Sequence, residues 1–391
     1  MYKVKTFNQI ATRGLERFPR NAFEVGSEIA DPHAILLRSH VLGAEHLTPT
    51  LRAVARAGAG TNNVPVDLYT EHGIVVFNTP GANANSVKEL VLAALLMSAR
   101  DVLGGLDFVR GLGGVGDARE LDRRVEAEKK RFAGRELYGK VLGVVGLGAI
   151  GALVAEAGLR FGMTVLGYDP AISVEAAWRL PSEVQRMENL HTLFARADYV
   201  TLHVPLLDST RQMVNRDSLK SFRRDAVLLN FARQEIVDEA ALATALGEGR
   251  VRGYFSDFPS PVLTHLPNVR ATPHLGASTA EAEENCAVMA ADQLVDFLRN
   301  GNIKNAVNFP AVYLERTEGA RVAVTNRNVP GMLGQLLSVL AEREINVIDM
   351  INKSRADVAY NLIDIAAAPA GELIAEMTKI DGVINVRVFD P

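Results

Sequence analysis

Gly146, Gly148, Gly151 and Asp169 are the residues whose types and spacing most clearly specify a chemistry. The glycines fall in Gly146-Leu147-Gly148-Ala149-Ile150-Gly151, a G-x-G-x-x-G run. The first glycine permits a tight turn, the second lets backbone approach a pyrophosphate, and the third lets a helix pack closely on a strand. Ala149 and Ile150 lie in the turn that leads into a helix, whose N-terminal N–H groups and dipole can face the anion. Asp169 ends the next apolar run, where an acid accepts hydrogen bonds from both ribose hydroxyls. An acid there repels a 2′-phosphate, so the pattern favours NAD over NADP.

These residues need a strand–turn–helix–strand frame, and the chain supplies one. Val141 to Val145 reads as a buried parallel strand, Ala152 to Phe161 as a helix, and Thr164 to Tyr168 as a second strand. Further strands end at His203, Asn230 and Asp257, with helices between them. Residues 1 to about 85 repeat the β/α alternation in Ala34 to Leu37, Leu51 to Ala55 and Ile74 to Phe77. That order predicts a second, smaller parallel sheet. Ser86-Val87-Lys88-Glu89 has the spacing of a capping box and predicts a largely apolar, buried helix to about Arg100. Gly104 to Gly116 reads as an extended connection, and the charged stretch to Lys140 as a solvated helix. A long helix opening at Ser278-Thr279 and ending at Gly301-Asn302 could return the chain to its first domain.

Beyond Pro310 the pattern becomes β-α-β-β-α-β, a ferredoxin-like plan. The expected organisation is therefore α/β. It has a discontinuous substrate-binding domain (1–88 and 277–310), a doubly wound dinucleotide domain (89–276) and a small C-terminal module (317–391).

Composition narrows the class. The 391 residues are 48% hydrophobic and 23% charged, with 42 basic against 46 acidic side chains and a net charge of −4. Neither nucleic acid nor a membrane surface is an expected partner. The one cysteine, Cys286, excludes an internal disulfide and reads as a buried structural thiol. No His/Asp/Glu cluster has metal-ligand spacing. Met1 to Thr6 has no signal-peptide core, and the longest apolar run, Leu90 to Met97, is too short to span a bilayer. A cytoplasmic enzyme is expected.

Several motifs together resemble the D-isomer-specific 2-hydroxyacid dehydrogenases. They are the glycine run, Asn230-Phe231-Ala232-Arg233, Asp257 and Thr272-Pro273-His274-Leu275-Gly276, in that order. Leu37-Arg38-Ser39, Arg56-Ala57-Gly58-Ala59-Gly60 and Phe77-Asn78-Thr79-Pro80-Gly81 sharpen the likeness toward members with a small phosphorylated substrate. Asn326-Arg327-Asn328-Val329-Pro330-Gly331 resembles the first strand–helix turn of an ACT domain, a small-molecule regulatory module.

The resemblance implies a set of roles. His274 takes the hydroxyl proton, and Arg233 binds the substrate carboxylate in a forked geometry. His203, Pro205, Phe231, Ala232, Asp257 and Gly276 line the NAD site. Arg38, Ser39, Arg56, Gly58, Gly60 and Asn83 bind substrate. Asn326, Asn328 and Asn346 meet an amino-acid effector where two modules pair, and a homodimer or homotetramer is expected. One departure stands out. The family's Phe-Pro-x-Glu pattern is here Phe258-Pro259-Ser260-Pro261, so Pro261 replaces the glutamate that orients the histidine. Gln234 replaces the usual glycine after the arginine. Two alternatives therefore stay open: a dehydrogenase of another D-2-hydroxy acid, and a weakly active NAD-sensing protein of corepressor type.

Overall fold

The computed structural model describes residues 1–366 and 371–389. The chain divides into two compact units, residues 84–279 and a second made of residues 1–83 with 280–391.

The N-terminal sheet contains β1 (Tyr2–Thr6), β2 (Phe23–Gly26), β3 (Ala34–Leu37), β4 (Ala53–Arg56) and β5 (Val75–Phe77). Their order is β2-β1-β3-β4-β5, with every pair parallel. β1 and β2 add to the three strands read from sequence. Both faces are covered, as the continuous apolar strands require. Ile35, Leu37, Val54 and Val76 fill one side. Val4, Leu36, Ala55 and Phe77 fill the other, against Leu294 and Phe297 of the helix Ala280–Asn300.

Residues 84–279 form the doubly wound sheet. Its strands are β6 (Val141–Val145), β7 (Thr164–Tyr168), β8 (Gln185–Arg186), β9 (Tyr199–Leu202), β10 (Ala226–Asn230), β11 (Val251–Ser256) and β12 (Val269–Ala271). The order β12-β11-β10-β9-β6-β7-β8 is all parallel and reverses direction between β6 and β9. Ligands bind at the carboxyl ends of strands at such a switch point.

Two local expectations change. The apolar helix is Ala84–Ala99, so Ser86 lies inside it and is not its cap. The Ser86 hydroxyl instead donates to the Gly276 carbonyl at 2.8 Å. The glycine-rich stretch is not extended throughout, because Val102–Gly111 is helical. Asp101 caps that helix by accepting the Gly104 N–H. Val102, Leu106 and Val109 recur at helical spacing, and all three are exposed. The following helix, Ala118–Glu128, is solvated and laced with Arg–Glu pairs, as its charge predicts.

The C-terminal module folds as β13 (Ala320–Arg327), the helix Met332–Ala341, β14 (Val347–Arg355), β15 (Val358–Ile365), the helix Gly371–Lys379 and β16 (Val383–Phe389). The antiparallel order is β14-β15-β13-β16. One face packs on its own helices through Val322, Leu336, Ile363 and Met377. Tyr360, Leu362 and Phe389 join the same core as Leu36, Phe77 and Phe297. The module is thus continuous with the N-terminal sheet, and the two share one hydrophobic core.

Candidate active site

Gly146 leaves β6 with φ +88, a conformation that favours glycine. A Cβ there would lie 2.7 Å from the His203 carbonyl carbon. A Cβ on Gly151 would collide with the Gly146 carbonyl, so the helix Ala149–Arg160 sits close against the turn. Gly148 is different. It is the N-cap of that helix, no side chain caps it, and an added Cβ would meet nothing within 4 Å. The helix N-terminus, with Ala149 and Ile150, therefore opens on free space of the kind a pyrophosphate fills. Asp169 follows β7 and is held by two backbone donors, Leu147 N–H at 2.9 Å and Ala171 N–H at 3.0 Å. Each carboxylate oxygen keeps a lone pair for a ribose hydroxyl. These residues fit a dinucleotide.

Across the switch point, the His203 N–H donates to the Val145 carbonyl at 2.7 Å. Its Nε2 lies 2.9 Å from the Thr201 hydroxyl, and burial pushes its pKa down to about 3. Desolvation thus holds the ring toward its neutral form. Pro205 is exposed beside it, while Phe231 and Ala232 are buried below the next loop.

Arg233 stands at the carboxyl end of β10, where the buried Asn230 shapes the turn. Asn230 Nδ2 donates to the Arg233 carbonyl at 2.8 Å, and Asn230 Oδ1 accepts the Ala232 N–H at 3.2 Å. The Arg233 side chain is exposed, and among the described residues only its Nη1 is engaged, at 2.6 Å from the Ala232 carbonyl.

His274 is exposed and has φ +55. Strain of this kind in a non-glycine residue persists only where the surroundings impose it. Asp257 imposes it. Its carboxylate, 2% exposed, accepts from the Thr272 hydroxyl at 2.7 Å and from the N–H groups of Leu275 and Gly276, each at 2.6 Å. Its carbonyl accepts the His274 N–H at 3.1 Å. The imidazole packs edge-on against Phe258, with ring centroids 5.2 Å apart. Among the described residues no carboxylate pairs with His274. The resemblance assigns Asp257 and Gly276 to the cofactor; in this structure the Asp257 carboxylate also binds the histidine loop, with the Gly276 N–H among its donors.

The substrate-binding candidates lie in the other unit. Arg38 follows β3 and pairs with Glu283 at 2.8 Å. Arg56, at the end of β4, donates to the carbonyls of Arg38 and Gly60. Its side chain therefore braces the Gly58–Gly60 loop. Ser39 N–H is held by Asn8 Oδ1 at 3.0 Å, and Asn83 is half-buried.

The three effector candidates do not converge within one module. Asn326 is 2% exposed and bonded to Asn361. Asn328 donates to the Ala356 carbonyl, beside the β14–β15 turn. Asn346 precedes the far end of that hairpin, where Val347 pairs with Ile365. Eight residues of strand, about 26 Å, separate the two ends.

Residues 106–276 match the family described as D-isomer specific 2-hydroxyacid dehydrogenase, NAD binding domain. A D-3-phosphoglycerate dehydrogenase of Haemophilus influenzae is 34% identical over 384 residues, covering 94% of this chain and 88% of its own. This chain belongs to the D-isomer-specific 2-hydroxyacid dehydrogenases. The D-3-phosphoglycerate dehydrogenase of Methanocaldococcus jannaschii is 36% identical over 77% of the chain, and the chain spans about half of that relative, 55%. Among solved structures of the family, a cofactor-bound 3-phosphoglycerate dehydrogenase of Entamoeba histolytica matches with a TM-score of 0.60. It is 25% identical and covers 78% of this chain and 98% of its own. The TT0316 protein of Thermus thermophilus matches with a TM-score of 0.63 and 29% identity over 78% of this chain and 99% of its own. Sequence reading did not single out Glu239 and Ser260, which bond behind the arginine turn at 2.6 Å.

Proposed function

We propose that the chain is an NAD-dependent dehydrogenase that oxidises 3-phospho-D-glycerate to 3-phosphohydroxypyruvate, the first step of the phosphorylated route to serine. The likeness to D-3-phosphoglycerate dehydrogenases along 94% of the chain carries this reading. Arg233 binds the substrate carboxylate in a bidentate contact and polarises the reacting oxygen. His274, neutral, takes the hydroxyl proton as base. Asp257 fixes the loop that presents the imidazole. Bound NAD would accept the hydride. Gly146, Gly148, Ala149, Ile150, Gly151 and Asp169 would hold its pyrophosphate and ribose, with His203, Pro205, Phe231 and Ala232 as wall. Arg38, Ser39, Asn83 and the Gly58–Gly60 loop would meet the phosphorylated end of the substrate. A phosphate that reaches Arg38 must displace or share Glu283.

The domains at 1–88 with 277–310 and at 89–276 would serve substrate and cofactor respectively, and the 317–391 module an amino-acid effector. A cytoplasmic homodimer or homotetramer fits this reading, and the exposed Val102, Leu106 and Val109 offer an apolar contact for it. The absence of a carboxylate at His274 among the described residues favours one rival, a weakly active NAD sensor. The strained histidine loop opposes it, since a sensor has no use for a held imidazole.

NADH formation by purified protein, with NAD and a panel of phosphorylated and unphosphorylated 2-hydroxy acids, tests the proposal. Turnover of 3-phosphoglycerate well above the unphosphorylated acids is expected. No turnover of any acid would leave the sensor reading.

A further inference from the structure

We infer that Glu239 is a positioning residue that clamps the turn carrying Arg233 to the loop that supports His274; this rests on the dehydrogenase reading above. Glu239 is the first residue of the helix Glu239–Gly247. Asp238 already caps that helix through the Ala241 N–H, so the Glu239 carboxylate is free for another task. Its two oxygens face different loops. Oε1 accepts from Gln234 Nε2 at 2.8 Å, and Oε2 accepts from the Ser260 hydroxyl at 2.6 Å.

Each partner adjoins a proposed catalytic group. Gln234 directly follows Arg233 in the turn after β10. Ser260 lies in the loop after β11, three residues beyond Asp257. It is 2% exposed, and it organises that loop: its carbonyl accepts the N–H groups of Leu263 and Thr264, and its own N–H donates to the Thr264 hydroxyl. The same loop contains Phe258, whose ring contacts His274. A continuous path thus runs from Arg233 through Gln234, Glu239 and Ser260 to Phe258, Asp257 and His274. Hydrogen bonds to an ionised acceptor are the stronger kind, and two of them on one carboxylate fix both loops at once.

Pro261 cannot supply a carboxylate where the family pattern has its glutamate. Glu239 brings one to the adjacent residue from a distant part of the chain. It has no bond to the imidazole. Its role is to place the two groups, while proton transfer stays with His274. Gln234, too, acquires a purpose here, since a glycine at that position could not reach Glu239.

The test uses the full-length protein with NAD and 3-phosphoglycerate, or whichever 2-hydroxy acid the wild type oxidises. Glu239→Ala is expected to lose about 10- to 100-fold in kcat/KM, with NAD affinity and melting temperature close to wild type. Glu239→Gln keeps an acceptor for Gln234 and can donate to Ser260 Oγ, so it should recover most of that loss. Gln234→Ala and Ser260→Ala should be non-additive, the double variant being no worse than the poorer single one, because either cut breaks the same path. This cycle also decides the matter if Glu239→Ala does not fold. Additive effects, wild-type turnover in Glu239→Ala, or a loss matched by weaker NAD binding would each overturn the clamp. An inactive wild type would instead overturn the dehydrogenase reading, and the clamp with it.

Discussion

Arg321 and Asp364 face each other across β13 and β15 as a fully buried ion pair, with Nε–Oδ1 2.6 Å and Nη2–Oδ2 2.9 Å. The three remaining guanidinium N–H groups donate to the carbonyls of Asn300, Leu314 and Glu315. All five donors are used, so burial leaves no unmet hydrogen bond. Asn300 ends the long helix, and Leu314 and Glu315 belong to the connection into the module. One side chain therefore ties helix, connection and module sheet together.

Arg321→Met should destabilise the unit by about 3–5 kcal/mol, because Asp364 is left as an unpaired buried charge. Arg321→Met with Asp364→Leu should be less damaging than either change alone. Urea unfolding followed by circular dichroism checks both, and additive losses would remove the pair from the explanation.

The same pair gives a pH dependence. Burial raises the Asp364 pKa, but hydrogen bonds from Arg321 and Thr317 outweigh it and hold the carboxyl below its ordinary 3.8. A folded value below the unfolded one means that the stabilisation is present above pH 3.8 and lost as pH falls through the lower value. The stability gap between wild type and Asp364→Asn should therefore be constant near neutrality and narrow only below pH 3.8. Denaturant titrations from about pH 2 to about pH 7 would show it, since they span the ordinary carboxylate range of about 3 to 5 and the region below it.

Asp169→Ala should weaken NAD binding and relax discrimination against NADP. The carboxylate, pinned by Leu147 and Ala171, then no longer repels a 2′-phosphate. Dissociation constants for both nucleotides test this, and equal use of NADP by the unmodified protein would refute the assignment.

Arg233→Lys should cost about 10- to 100-fold in kcat/KM, since an ammonium cannot reproduce a forked contact and one charged hydrogen bond is worth about 1.5–3 kcal/mol. Near-normal kinetics in this variant would take Arg233 out of the site.

Asp257→Asn sets an amide NH2 against a ring of donors, the Leu275 and Gly276 N–H groups and the Thr272 hydroxyl. The histidine loop should relax from its left-handed conformation, and kcat should fall about tenfold or more. NAD affinity should change less than about twofold. A large loss of NAD affinity with kcat intact would show instead that Asp257 serves the cofactor.

The parts legible in the sequence are those whose meaning is local. Gly146 to Gly151 and Asp169 are set by adjacent residues, so strand, turn and acid could be read before any coordinates. The β-α-β-β-α-β module was readable for the same reason. What escaped depends on pairings distant along the chain. Ser86 looked like a helix cap, but its partner is Gly276, 190 residues away. Glu239 carries no signal in the sequence, because its partner Ser260 lies 21 residues on. Gly104 and Gly105 suggested extension, yet the Asp101 cap and the apolar spacing outweighed their low helix propensity.

The shared core of Phe77, Phe297 and Phe389 also dictates an order of events during synthesis. β1 to β5 emerge first, but the helix that covers them begins at Ala280, after the whole of residues 84–279. At about 5–20 residues per second, that interval lasts about 10–40 s. The dinucleotide unit, continuous in sequence, can complete its sheet on the ribosome while one face of the first five strands still waits for its cover. Until that helix is made, the nascent face with Val4, Leu36, Ala55 and Phe77 has only solvent against it.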